Sequence, residues 1–171
     1  MRRIKYFVAM SLDGYIAGPN DEIDWLFTDQ HYGLSTFLKS IDTVLIGRKT
    51  YEQMQLLGAA SYEGKQNYVF SRTGRSSVHK EVHWINEDPG SFVEKLRRKP
   101  GKDMWVVGGG LLFGCLLDHN LIDDIILAVH PTLLGEGIPF VDQIKRKYDL
   151  ALVKIKSFPT GLVILTYNLV K

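Results

Sequence analysis

The chain of 171 residues has one cysteine, six prolines and a charge balance near zero. Each shortage excludes something. Cys115 alone cannot close an internal disulfide, so a reducing compartment, the cytoplasm, is expected. Its apolar surroundings read as those of a small packing residue rather than a nucleophile. Lys and Arg total 21 against 19 Asp and Glu, a net charge of +2. That excess is too small for a nucleic-acid binder, which needs a strongly basic face. It still suits a small anionic ligand. The prolines, at 19, 89, 100, 131, 139 and 159, are scattered, and no linker, repeat or low-complexity tract divides the chain. A single domain over residues 1–171 is expected. The longest uncharged apolar stretch, residues 104–117, holds four glycines. It falls short of the roughly 18 residues that cross a membrane. The opening Met1-Arg2-Arg3-Ile4-Lys5 lacks the long apolar core of an export signal.

Several catalytic signatures are also missing. The five histidines show no carboxylate or cysteine at ligand spacing, so no metal is expected. There is no G-x-S-x-G elbow, no G-x-x-x-x-G-K-[ST] loop and no opening dinucleotide fingerprint. The basic runs Arg97-Arg98-Lys99 and Lys145-Arg146-Lys147 lack interleaved aromatics and read as solvated helix ends and loops.

What is present is an ordinary globular composition, 45% hydrophobic and 23% charged. Apolar and β-branched runs predict strands over 4–10, 43–46, 67–70, 82–85, 104–107 and 124–130, and a terminal hairpin of 150–158 with 162–170. Helical spacing predicts helices over 32–39, 50–57, 89–98 and 111–117, with one helical turn at 24–27. Asp88 or Ser91 is the candidate cap of the third helix. Strands alternating with helices predict an α/β fold with a mostly parallel sheet and helices on both faces. The terminal hairpin makes the sheet mixed. Ligands of such sheets bind beyond the carboxyl ends of the strands.

Three strand ends carry chemistry. In Gly47-Arg48-Lys49-Thr50-Tyr51-Glu52 a strand ends at glycine and a helix begins with two cations and a hydroxyl. Free amides, the helix dipole and a guanidinium fork suit phosphate. The plain alternative is that Thr50 caps the helix. In Val107-Gly108-Gly109-Gly110 three glycines clear the strand-to-helix turn, either for ligand approach or for helix packing. In Phe70-Ser71-Arg72-Thr73-Gly74-Arg75 a hydroxyl and two guanidiniums suit a phosphate monoester such as the 2′-phosphate of NADP.

These pieces, with Ser11-Leu12-Asp13-Gly14-Tyr15-Ile16-Ala17 and Leu134-Gly135-Glu136-Gly137-Ile138-Pro139-Phe140, resemble the dihydrofolate reductase superfamily over nearly the whole chain. The resemblance is closer to the reductase domain of the riboflavin-biosynthesis deaminase/reductase, which acts on a ribosylamino-pyrimidine phosphate. It implies a three-layer fold with a mixed, mostly parallel sheet of about eight strands flanked by helices. It implies an NADPH-dependent reductase that transfers hydride to a small pyrimidine- or pterin-like heterocycle.

By position, the resemblance gives Gly47, Arg48, Lys49 and Thr50 to the cofactor phosphates, and Ser71 and Arg72 to the 2′-phosphate. It gives Val107, Gly108, Gly109, Gly110 and Leu111 to the pyrophosphate and nicotinamide. Ala9, Ile16 and Ala17 border the nicotinamide through backbone groups, and Phe113 stands where a ring-facing tyrosine is common. Trp25, Phe27, Tyr51 and Met54 are candidate walls of the substrate pocket. Asp13 and Asp29 are candidate proton relays, or else a turn residue and a helix cap. The pattern departs at one point: the buried carboxylate of dihydrofolate reductases falls near Gln30 or His31, so folate reduction itself is not expected. The alternative function is a non-catalytic NADP- or nucleotide-binding module. Relatives pair through their sheets or terminal hairpins, so a homodimer is expected, with a small-molecule substrate and neither nucleic acid nor membrane as partner.

Overall fold

The computed structural model describes residues 1–59, 61–73 and 79–170. Ten strands and four helices follow one another among them. The first, β1 (Ile4–Ser11), is followed by β2 (Tyr15–Ala17), α1 (Leu34–Ser40), β3 (Ile41–Gly47), α2 (Arg48–Leu56) and β4 (Gln66–Phe70). Then come β5 (Val82–Ile85), α3 (Pro89–Arg97), β6 (Asp103–Gly108), α4 (Gly110–Asp118) and β7 (Asp124–His130). β8 (Ile138–Pro139), β9 (Leu150–Ser157) and β10 (Val163–Leu169) complete the chain.

Eight strands form one sheet in the order β5-β4-β3-β6-β1-β7-β10-β9. The first six of that order run parallel, and the terminal hairpin adds two antiparallel strands. Central strands are apolar on both faces because helices cover both. On one face α3 and α4 place Val93, Leu96, Leu112, Phe113 and Leu116 over Ile4, Tyr6, Met104 and Val106. On the other, Tyr51 of α2 packs with Ile41, Val44, Ile46 and Trp105, and Phe37 and Leu38 of α1 close the edge. The result is three layers.

Parallel pairing puts the ends of β3, β4, β6, β1 and β7 along one edge, in the register Gly47 with Phe70, Ile46 with Gly108, and Ser11 with His130. From β3 the chain turns onto the α2 face, and from the neighbouring β6 it turns onto the α4 face. Strands whose following helices go to opposite faces leave a crevice between their tips.

Several expectations need correction. Where a helical turn over 24–27 is expected, a single hydrogen-bonded turn spans 23–26, Leu26 N–H donating to the Ile23 carbonyl at 3.2 Å. Helix α2 starts at Arg48, so Thr50 lies within it and does not cap it. Of the two proposed caps of α3, Asp88 is the one, accepting from the Ser91 amide at 2.7 Å. Arg97 is no solvated helix end. It grips Asp123 with two bonds of 2.8 and 2.9 Å, and its side chain is 12% exposed. Strand β8 was not foreseen. It pairs antiparallel with β2 as a separate two-stranded sheet.

Candidate functional site

The crevice between the β3 and β6 tips is built from glycine. A Cβ added to Gly47 would lie 3.2 Å from the Gly109 amide nitrogen and 3.3 Å from the Gly108 carbonyl oxygen. Any larger residue would fill the space the two turns share. On the other wall, a Cβ on Gly108 would come within 3.4 Å of Thr50 Oγ1. A cis peptide joins Gly108 to Gly109.

Both helices that leave this crevice start without a side-chain cap. Gly47 precedes α2 and Gly109 precedes α4, and neither helix end receives a side-chain hydrogen bond. Two helix starts without side-chain caps therefore meet at one glycine turn, with the Thr50 hydroxyl beside it, an arrangement suited to anions. Cations stand beside it. Arg48 is half-buried and pairs with Glu52 one turn along, at 2.9 Å, while Lys49 and Arg72 are exposed. Ser71 continues β4 at the same edge, its amide bound to Ile85 at 2.9 Å and its hydroxyl donating to the Thr73 carbonyl at 2.9 Å. Gly47, Ser71 and Gly109 thus share one edge of the sheet. Arg75, the second guanidinium of that loop, lies outside the described residues.

Not every glycine serves the crevice. A Cβ on Gly110 would meet Pro139 and Asp142 backbone at 3.2 Å, and one on Gly114 would sit 2.4 Å from the Asp142 carbonyl oxygen. Those two glycines let residues 139–142 lie against α4. The third glycine of the run is therefore a packing position, and its contribution to a ligand is limited to its amide. Leu111 is exposed on the same helix and Val107 is half-buried in β6.

Two aromatic candidates turn inward. Phe113 is 1% exposed and stacks on Tyr6 at 3.9 Å, so it supports the site from inside the core. Tyr51 is 2% exposed and meets Trp84 edge-on. Neither ring is a pocket surface, because helix periodicity aims both at the sheet. Met54 is partly buried in the same cluster as Tyr51. Ala9 lies in β1 opposite Ala128, and Ile16 and Ala17 sit in β2 near the same edge.

The two carboxylates expected to relay protons are held in structural bonds. Asp13 accepts from the Ser11 hydroxyl at 2.6 Å, from the Gly135 amide at 2.8 Å and from the Leu134 amide at 3.1 Å. The Ser11 bond chiefly, then the two amides, hold its carboxyl below the usual range. A carboxylate stabilised as an anion is a poor proton donor at neutral pH. Its role is to fasten the loop after β7 to the loop after β1. Asp29 accepts from the Tyr32 hydroxyl at 2.6 Å and does not cap α1, whose N-cap is Gly33. Cys115 is half-buried, and burial, then Asp88 and Asp118, push its thiol up, consistent with packing.

Trp25 and Phe27 stand at the tip of β7, where sequence reasoning passed over a partner. Their rings approach His130 at 5.2 and 5.0 Å. The signal that could have found it is a histidine as the last residue of a parallel strand at the ligand edge.

Comparison with known proteins fits this geometry. The model of the RibD C-terminal domain matches residues 2–164. The chain belongs to the RibD C-terminal domain family. The uncharacterized protein YyaP of Bacillus subtilis (strain 168) is 34% identical to it over 179 residues, 98% of this chain and 95% of that protein. The "Putative riboflavin biosynthesis protein" of Shewanella sp. PV-4 superposes with a TM-score of 0.87 at 22% identity, covering 100% of both chains. Dihydrofolate reductase from Enterococcus faecalis, complexed with NADP(H) and RAB-propyl, superposes with a TM-score of 0.72 at 16% identity, over 99% of this chain and 97% of that one. The fold is that of dihydrofolate reductase. No helix among the described residues is long and apolar enough to cross a membrane.

Proposed function

We propose that this RibD C-terminal domain protein is an NADPH-dependent reductase of a small, flat nitrogen heterocycle. The observation that carries the reading is the shared crevice. Two uncapped helix starts and a side-chain-free turn converge where Gly47 would touch Gly109, with cations on the rim.

The residues fit the cofactor the family implies. Backbone amides at the starts of α2 and α4 would take its bridging phosphates, with Arg48 and Lys49 balancing their charge. Ser71 and Arg72, one strand over, would take the ribose phosphate that distinguishes NADPH from NADH. When bound, the cofactor supplies the hydride; the protein supplies position and electrostatics. The loop carrying Trp25 and Phe27 would flank the substrate half. With Asp13 and Asp29 committed to other bonds, the proton that accompanies hydride comes from water.

Thermal unfolding with and without cofactor tests the binding step. NADPH is expected to raise the melting temperature, and NADH to raise it less, since only the native state binds. Equal effects would remove the role of Ser71 and Arg72, and no effect of either would remove the cofactor. NADPH oxidation over a panel of pterins, pyrimidines and quinones then separates a reductase from a binding module.

A further inference from the structure

His130 closes β7 at the ligand edge and is 4% exposed. Its Nδ1 lies 3.1 Å from the Ala128 carbonyl oxygen, and its Nε2 lies 3.2 Å from the Phe27 amide nitrogen. A carbonyl oxygen only accepts and an amide N–H only donates. The ring therefore carries its proton on Nδ1 and presents a lone pair at Nε2. Neutral imidazole in that one tautomer satisfies both partners; imidazolium satisfies one.

Leu26 N–H donates to Ile23 at 3.2 Å and Trp25 Nε1–H donates to Glu22 at 3.3 Å, both within the loop itself. Among the described residues, the Phe27 amide is the hydrogen-bonding group that ties residues 23–28 to the large sheet. The other holds are the edge-on packing of Trp25 and Phe27 on the imidazole, the packing of Phe27 against the cluster of Tyr32, Ala128 and Leu162, and, just before the loop, the Gln53 side-chain amide donating to the Asp21 carbonyl at 2.9 Å.

We propose that neutral His130 is a latch that positions the Trp25–Phe27 loop against β7, and that protonation at Nε2 releases it. This assigns a positioning residue to one wall of the reductase site, and so rests on the reading above for what the wall serves. The groups packed on the ring, Trp25, Phe27 and the Ala128 carbonyl, are uncharged. The loop carboxylates Asp24 and Asp29 are exposed, and Asp29 is taken by the Tyr32 hydroxyl. Lys156, on the hairpin, lies over Phe158. Burial lowers the His130 pKa, and the Ala128 bond opposes this only in part. The latch is accordingly closed above the unfolded-state value of about 6.5 and is lost as pH falls through the lower folded value.

The test reads the protein without cofactor. Trp25 fluorescence, isolated by difference against Trp25→Phe, and exchange of the Phe27 amide are followed from about pH 7.5 to about pH 5, across the histidine range. In the wild type the fluorescence changes in one titration, and Phe27 exchange, corrected for its intrinsic pH dependence, rises at least tenfold. His130→Gln can offer its side-chain oxygen to the Phe27 amide but gains no proton. It is expected to keep Phe27 protected and to show no titration. His130→Leu exchanges Phe27 fast at every pH. A wild-type titration persisting unchanged in His130→Gln overturns the latch, as does Phe27 protection unchanged in His130→Leu. Should the leucine variant not fold, wild type against glutamine decides. Neither readout involves NADPH, so failure of the cofactor reading alters neither result.

Discussion

The side chain that Gly47 lacks and the amide of Gly109 occupy one space: a Cβ at Gly47 would lie 3.2 Å from that nitrogen. Two turns, 62 residues apart in number (109 − 47), meet at the point where the sheet changes the face its helices take. Gly47→Ala would force one turn to give by a few tenths of an ångström. The cost to stability is about 1–3 kcal/mol, as for other overpacked sites. The cost to NADPH is larger in kind, because the crevice itself narrows. Calorimetric titration is expected to show at least a tenfold loss of NADPH affinity while the variant remains folded. Wild-type affinity in Gly47→Ala would place the phosphates elsewhere.

Arg48 and Arg72 flank that point from α2 and from the end of β4. Arg48 already pairs with Glu52, but both are more than a third exposed, so this i,i+4 contact contributes only about 0.3–0.5 kcal/mol. Arg48→Ala with Arg72→Ala should leave the melting temperature nearly unchanged. Charge-assisted contacts to phosphate contribute about 1.5–3 kcal/mol each, and tenfold in affinity is about 1.4 kcal/mol. NADPH binding should fall tenfold or more, and the NADPH-over-NADH preference should shrink through Arg72. Unchanged binding would exclude both side chains from the site.

Asp13 gives a pH prediction with a definite sign. Its folded pKa is held down by the Ser11 hydroxyl first and by the Gly135 and Leu134 amides. A depressed carboxyl pKa stabilises the fold above the unfolded value of about 3.9, and that contribution is lost as pH falls through the folded value. Asp13→Asn should therefore lower the melting temperature at neutral pH. The gap from wild type should close as pH drops below about 4. A gap of constant size across that range would mean that the carboxylate charge plays no part in the tether.

Much of this was legible in the sequence. The strands are short β-branched or apolar runs ended by glycine or turn residues, and runs such as residues 43–46 and 124–130 have one reading. The glycine junctions were legible for the same reason: few other residues let a strand turn at once into a helix. Aromatic roles were not. Tyr51, expected as a pocket wall, and Phe113, expected near the cofactor ring by resemblance, both sit on helices that follow the glycine turns. The 3.6-residue period aims both at the sheet instead. Strand β8 has two residues, one of them Pro139, too short to carry any period. His130 was hidden for another reason. Its tautomer is set by an amide 103 positions away, information that no local window holds.

The remaining prediction concerns β9. It forms one edge of the eight-stranded sheet, opposite β5, and all eight of its residues are exposed. An edge strand presents unpaired N–H and C=O groups, and proteins usually blunt it with charge, brevity or cover. Lys154 and Lys156 supply charge, but in the ladder they pair with Thr166 and Ile164, on one face. On the other, Leu150, Leu152 and Ile155 stand beside Leu169, Tyr167 and Leu165, and the register shift at Thr166/Tyr167 inserts Val153. Leu152 is 50% exposed, Val153 57% and Ile155 58%. Apolar side chains on a free edge lose contact with water when a second copy of the same edge covers them, and a two-fold pairing satisfies both backbones at once. Light scattering after gel filtration is expected to give the mass of two chains. Leu152→Lys with Ile155→Lys should give one chain with NADPH affinity retained, because β9 lies five strands from β3 in the sheet order. A wild type that elutes as a single chain at about tens of micromolar, well above a dissociation constant of about 1 μM, would leave this edge without the partner assigned to it.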